Sequence, residues 1–188
     1  TKTAHYVANQ FKRFGLKPAG DNGGWLQNYP IETRRILADR STVSFSQSGG
    51  GQGARVTFVN GAAWTGSDLV AGIHKGGVVI VGGAGRLDSI PVTELAGRIV
   101  LFVGDWTRPG AAQRQMQLGR RVQAGGARGL VSIVNSDSAY AVNYSAANAR
   151  STVSVPGPGG GFFSVAMKES ALLSQIPEAA GPFQGLRQ

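Results

Sequence analysis

None of the 188 residues is a cysteine, which excludes disulfides and any thiolate metal site. Histidine is almost as scarce. His5 and His74 are the only two, and neither has a His or carboxylate at the i+4 spacing of a helical zinc site. A metal held wholly by this chain is therefore not expected. No Gly-x-Ser-x-Gly elbow occurs, so the local signatures of a nucleophilic hydrolase are missing. No apolar run approaches the roughly 18 residues of a membrane span, and 1–10 lack a signal-peptide pattern. No membrane partner is expected.

Charge is sparse too. Only 15% of residues are charged, against about 25% in an average soluble chain. Lys and Arg number 19 and Asp and Glu 10, a net charge of +9, which indicates either an anionic partner or a solvated basic face. The basic residues are scattered from Lys2 to Arg187, adjacent only at Lys12-Arg13, Arg34-Arg35 and Arg120-Arg121. No stretch alternates them with aromatics as a single-strand platform does, so nucleic acid is not expected as a partner. Glycine, by contrast, is abundant at 29 residues, which favours many turns and short strands.

The most informative stretch runs from Leu95 to Asn135. Ile99–Val103 and Leu130–Val134 are β-branched and aromatic runs, the composition of strands buried on both faces. Between them Pro109 is placed to open a helix and Gly125-Gly126 to close it. Ala112, Met116, Gly119 and Val122 supply its expected inward stripe. A strand, a crossover helix and a strand make a right-handed parallel unit, so the fold class is α/β.

Around this unit, 1–16 read as an amphipathic helix with Ala4, Val7, Ala8, Phe11 and Phe14 on one side, Thr1 or Thr3 as N-cap and Gly15 as its stop. Lys17–Gly24 is turn-rich, and Trp25–Ile31 reads as a strand. Ile36–Phe45 reads as another, broken at Asp39-Arg40, and Ser46–Gly53 as a flexible tract. Arg55–Val59 alternates as a half-buried strand does; Asp68–Ile73 and Val78–Val81 are further strands, and Thr93–Leu95 makes one helical turn at most. Later come a polar irregular stretch at Asp137–Arg150, strands at Ser151–Val155 and Phe162–Met167, and a helix over Lys168–Ile176 with Ala171, Leu172 and Ile176 inward.

Two loops invite a functional reading. Gly82-Gly83-Ala84-Gly85 follows a strand as a phosphate loop does, but the third glycine of that spacing is replaced by Asp88, and Pro91 blocks a long helix. It reads as a strand-end turn. The loop Gly104–Gly110 leaves the carboxyl end of a central strand, where α/β sheets place ligand-facing residues. Trp106 and Arg108 within it are residue types enriched in binding hot spots. Either they form a contact surface, or Trp106 covers the end of the core and Arg108 is solvated.

The segment Leu95-Ala-Gly-Arg-Ile-Val-Leu-Phe-Val-Gly, followed by Arg121-Val-Gln-Ala-Gly-Gly-Ala-Arg-Gly-Leu-Val-Ser-Ile-Val-Asn, resembles the protease-associated domain. Arg98 stands where lysine is commoner, and Gly126 departs from the family's Ala-Gly-Ala turn. The resemblance covers about Trp64 to Ile176. Separately, Thr3–Pro30, above all Ala8-Asn-Gln-Phe-Lys-Arg-Phe-Gly-Leu-Lys-Pro-Ala-Gly-Asp-Asn-Gly and Trp25-Leu-Gln-Asn-Tyr-Pro, is similar to the first helix and strand of M28-family zinc peptidases. In that family a protease-associated domain is inserted soon after that strand.

The resemblance implies short-stranded mixed β-sheets, open-barrel or sandwich-like, flanked by a few helices. It divides the chain into a peptidase-like start at 1–38, connecting strands and a Ser/Gly-rich loop at 39–63, the protease-associated domain at 64–178, and a linker at 179–188 towards a catalytic part. The parent it implies is a secreted or periplasmic aminopeptidase with two zinc ions. Their ligands begin at a His-x-Asp motif that is absent here, so no catalytic, metal or cofactor residue is carried over. The expected role is to wall or cover the active site and select a peptide or protein substrate. Contact candidates are Trp106, Arg108, Arg86 and Tyr140. The expected partners are the catalytic domain or a second copy paired through Val7, Phe11 and Phe14. A stand-alone peptide-binding module is the alternative, and an unrecognised hydrolase a third reading that the lack of ligands disfavours.

Overall fold

A computed structural model describes residues 2–34, 36–46, 53–59, 62–65, 72–83, 90–145, 152–154 and 161–187. These residues fall into two units: one runs to Thr33 and includes Val153 and Ser154, and the other takes the described residues from Arg34 to Thr152 and from Gly161 to Arg187.

In the first unit, helix α1 spans Lys2–Arg13. It stops where Gly15 turns left-handed at φ 75°, with Gly15 N–H donating to Lys12 O and Leu16 N–H to Phe11 O, both at 3.1 Å. That paired closure satisfies the last carbonyls, and glycine adopts its φ at low cost. Only Ala8 of the helix is buried; Val7, Phe11 and Phe14 are exposed. The expected strand over Trp25–Ile31 is not formed. Leu26 O accepts from Asp21 N–H, and Asn28 N–H donates to the Asp21 carboxylate at 2.7 Å, so a local turn takes the groups a ladder needs. Strand β1 is instead Glu32–Arg34, which pairs with Thr152–Ser154.

The second unit is mixed α/β. Strands β2 (Thr42–Phe45) and β3 (Ala54–Thr57) form an antiparallel pair with Val43 opposite Val56. Ala54, Val56 and Phe58 are buried while Arg55 and Thr57 face outward, the alternation expected from sequence. The outer edge of β3 is met by one side chain: Gln175 Oε1 accepts from Arg55 N–H at 2.7 Å, and its Nε2 donates to Arg55 O at 2.6 Å.

The main sheet has five strands. They are β4 (Ala63–Thr65), β5 (Val78–Gly82), β6 (Ile99–Val103), β7 (Gly129–Val134) and β9 (Phe163–Lys168), β8 being the Thr152–Ser154 strand already given. Their order is β4-β9-β7-β6-β5, with β4 antiparallel to β9 and the other pairings parallel. Every residue of β7 and the last four of β6 are buried, as a two-faced core strand requires.

The pleat sorts the core into two layers. Leu101, Val103, Val131, Ile133, Val165 and Met167 meet β3, Leu172 and Phe183 on one face. Val100, Phe102 and Leu130 meet Leu95, Leu118 and Val122 on the other. Leu95 belongs to the one-turn helix α2 (Val92–Leu95), and Leu118 and Val122 to helix α3 (Ala111–Ala124).

The inward face of α3 differs from the expected stripe: Leu118 and Val122 are buried, and Ala111 and Gln115 are half-buried beneath them, whereas Ala112 and Met116 are exposed. The helix begins two residues after Pro109, at a left-handed Gly110 (φ 74°), and this phase leaves Met116 one position off the buried line. Gln115 Nε2 donates to Ser132 Oγ, the one buried polar residue among those described. A short helix α4 (Asp137–Tyr140) with a π-helical turn at Ala141–Ser145 replaces part of the expected irregular stretch.

Helix α5 (Glu169–Leu173) follows β9 with Leu172 buried and Ala171 and Ile176 packed on the core. The expected linker at 179–188 holds helix α6, Ala180–Arg187. Phe183 is buried against the sheet; it lies among turn-forming residues, so its helix is set by tertiary burial rather than by a periodic pattern. Leu186 closes on Gly82, where an added Cβ would strike the Leu186 backbone. Of the other strand expectations, 68–71 lie outside the described residues, and Gly72-Ile73 is not strand.

Candidate functional site

Parallel strands deliver their first polar residues to one edge of a sheet. Here Asp105 follows Gly104 at the end of β6, and Asn135 follows β7 directly. The two meet. Asn135 Oδ1 accepts from Trp106 N–H at 2.9 Å, and its Nδ2 donates to Asp105 Oδ1 at 3.4 Å. Asp105 Oδ1 also accepts from Thr107 Oγ1 at 2.6 Å and Thr107 N–H at 3.0 Å, while Oδ2 accepts from Arg108 Nε at 3.0 Å.

Such a turn, closed by its own aspartate, holds the carboxyl at a pKa of about 2. The Thr107 hydroxyl is the largest cause, and the Thr107 N–H, Asn135 and Arg108 add to it against an opposing push from burial. The carboxylate is thus a fixed negative charge at any physiological pH.

That turn also decides where Trp106 points. With its N–H tied to Asn135, the indole goes inward, 5% exposed, among Val134, Tyr140, Ala166 and Ala111. Tyr144 meets it edge-on at 5.7 Å and lies 5.3 Å from the Tyr140 ring, over which Lys168 Nζ sits at 5.3 Å. Burial, reinforced by Tyr140, pushes the Tyr144 phenol far up. Trp106 and Tyr140 are therefore core aromatics and not exposed side chains, which corrects their place among the contact candidates. Arg108 is exposed. Arg86 lies outside the described residues.

Above this aromatic floor, between β6, the start of α3 and the end of α6, is a cleft of about 290 Å³. Phe102, Gly104, Trp106 and Ala111 give its apolar lining, and Asp105, Arg108, Arg114 and Arg187 its charges. Among the described residues, three guanidiniums thus stand against one carboxylate. Arg187 reaches in from α6; its Nε donates to Gly104 O at 3.2 Å and its Nη2 pairs with Glu169, each side chain 14% exposed. Burial lowers the Arg187 pKa, and Asp105 opposes that shift. Arg114 Nη1 donates to Pro109 O at 2.7 Å. Ala111 begins α3 with no side-chain cap and no acid in the first turn, so the helix dipole adds positive potential there.

Arg114, Arg187 and Asn135 were not singled out in the sequence. Asn135 had a usable signal, as the first polar residue after a buried parallel strand. Arg114 is one of many arginines in the chain, and Arg187 arrives from a helix with no sequence signature.

Among the described residues no three His, Asp or Glu side chains converge to hold a metal. The zinc pair implied by the resemblance therefore has no ligand set in them. No helix among the described residues is long and apolar enough to cross a membrane. Compared with protein-family models, characterised proteins and solved structures, the chain matches none of them.

Proposed function

We propose that this chain is a non-catalytic, protease-associated-type domain of a secreted or periplasmic M28-like zinc aminopeptidase, preceded by the peptidase's first helix. The cleft at the carboxyl edge of β6 is its peptide-facing site. The observation that carries the reading is this juxtaposition: a preformed cleft of about 290 Å³ with an apolar floor and an arginine rim, set at the end of a buried strand. Such a wall acts by shape and charge, admitting some chains and orienting them while the chemistry takes place elsewhere.

The exposed Val7, Phe11 and Phe14 of α1 support the second half of the reading. Each apolar side chain contributes roughly 1.5–3 kcal/mol when covered, and the remainder of a peptidase domain is the cover proposed. The two zinc ions belong to that remainder.

Two measurements test the proposal. The first is the reading frame beyond Gln188: His-x-Asp followed by acidic and histidine ligands supports it, and an early stop codon replaces it with a stand-alone peptide-binding module. The second is peptidase specificity in the parent, where Arg108→Gln should change the ranking of a peptide panel and leave zinc content alone. An unchanged ranking counts against the cleft.

A further inference from the structure

We infer that the cleft takes a carboxylate carried by a peptide as an acidic side chain, with Arg108 and Arg114 as its cationic contacts. The inference rests on the peptide-facing reading above and names the class of peptide.

The three guanidiniums differ in what they have left to give. Arg187 is engaged by Gly104 O and Glu169, and its part is to hold the wall. Arg108 spends Nε on Asp105, and its two terminal nitrogens have no acceptor among the described residues. Arg114 bonds only the Pro109 carbonyl and has no carboxylate within ion-pair distance among them. A guanidinium fork with open N–H groups is matched by a carboxylate in geometry and charge.

One further feature of the lining favours an anion: helix α3 starts at the cleft with neither a capping side chain nor an acid in its first turn. The neighbouring Asp105 selects among anions, because its fixed negative charge beside the rim disfavours a dianion more than a single carboxylate. The volume is at the small end for ligand pockets, which run from roughly 300 Å³, so it suits one side chain. Phe102 and Ala111 in the lining suit the apolar stem of such a group.

The test uses the full 188-residue chain and calorimetric titration with three blocked pentapeptides identical except for a central Glu, Gln or Lys. Inorganic phosphate serves as a fourth probe. The Glu peptide should bind at least about tenfold more tightly than the Gln peptide, the scale of one charge-assisted hydrogen bond. Arg108→Gln and Arg114→Gln should each remove most of that difference. Lys12→Gln, which removes the same unit of charge from α1, should not. Equal binding of all three peptides overturns the carboxylate assignment and leaves the peptide-facing reading standing. No binding of any peptide overturns both. Phosphate binding as tight as the Glu peptide makes the site one for a free oxyanion and overturns the peptide half. Should Arg114→Gln fail to fold, the Glu–Gln difference on the unaltered chain and the Arg108→Gln variant decide.

Discussion

The Arg187–Glu169 pair is the place where the end of α6 is fixed, and it makes a sharp prediction. Each side chain is 14% exposed, so neither charge is fully hydrated, and removing one partner strands the other. Breaking a desolvated pair costs roughly 3–5 kcal/mol, and some water access puts this one near the lower figure. Glu169→Leu alone should therefore cost about 3 kcal/mol. Arg187→Met should cost at least as much, because Gly104 O loses its donor as well, worth about another 1 kcal/mol. Replacing both leaves no stranded charge, and the double variant should be more stable than either single one. With a urea m-value near 2–3 kcal/mol/M for a chain of this size, the single changes move the unfolding midpoint by about 1 M, readable by tryptophan fluorescence. Single losses below about 0.5 kcal/mol, the range of an exposed pair, or strict additivity in the double variant, would refute the account of a desolvated clamp.

Three further outcomes follow from the same geometry. Asp105 has a folded pKa of about 2 and an unfolded value near 3.9, so its stabilising contribution is complete above the unfolded value and disappears as pH falls through the folded one. Carboxyl NMR should find its midpoint near 2, and Thr107→Val should raise it towards the ordinary range; coincident midpoints in the two proteins would contradict the turn described. Trp106→Ala should cost about 3–5 kcal/mol, as for a core aromatic, while Trp106→Phe should cost much less because the lost N–H has no acceptor among the described residues; thermal melts of the two decide, and a negligible effect of the alanine would make Trp106 a surface residue. Gly82→Val places a side chain against the Leu186 backbone, and hydrogen exchange should show α6 losing protection while β7 keeps it.

The sequence-based reading succeeded where burial is two-sided and failed where a local turn or a long-range contact chooses. Ile99–Val103 and 130–134 are strands because every position is apolar or small enough to be covered on both faces, and no alternative structure hides such runs as well. The α3 stripe was right at Val122 and one residue off at Ala112, Met116 and Gly119, where Ala111, Gln115 and Leu118 turn inward instead. Trp25–Ile31 has strand composition, yet Asp21 captures its neighbours' N–H and carbonyl groups first. At the site, position at a strand end was legible for Asp105 and the loop after it. Whether Trp106 faced solvent or core was not, because that choice depends on Asn135, far along the chain at the end of the next strand. Arg187 was illegible for the same reason, being brought to the cleft by Phe183 in a segment without periodicity.

The clasp between Gln175 and Arg55 bears on how the molecule behaves among its own copies. A four-residue strand with one free edge is an open invitation for another chain to add itself, and the amide of Gln175 occupies that edge by imitating the missing neighbour with one donor and one acceptor. What remains of β3 is too short to set a register for an incoming strand. A glutamine that looks like an incidental surface residue thus takes, at Arg55, the donor and acceptor that an added strand would need.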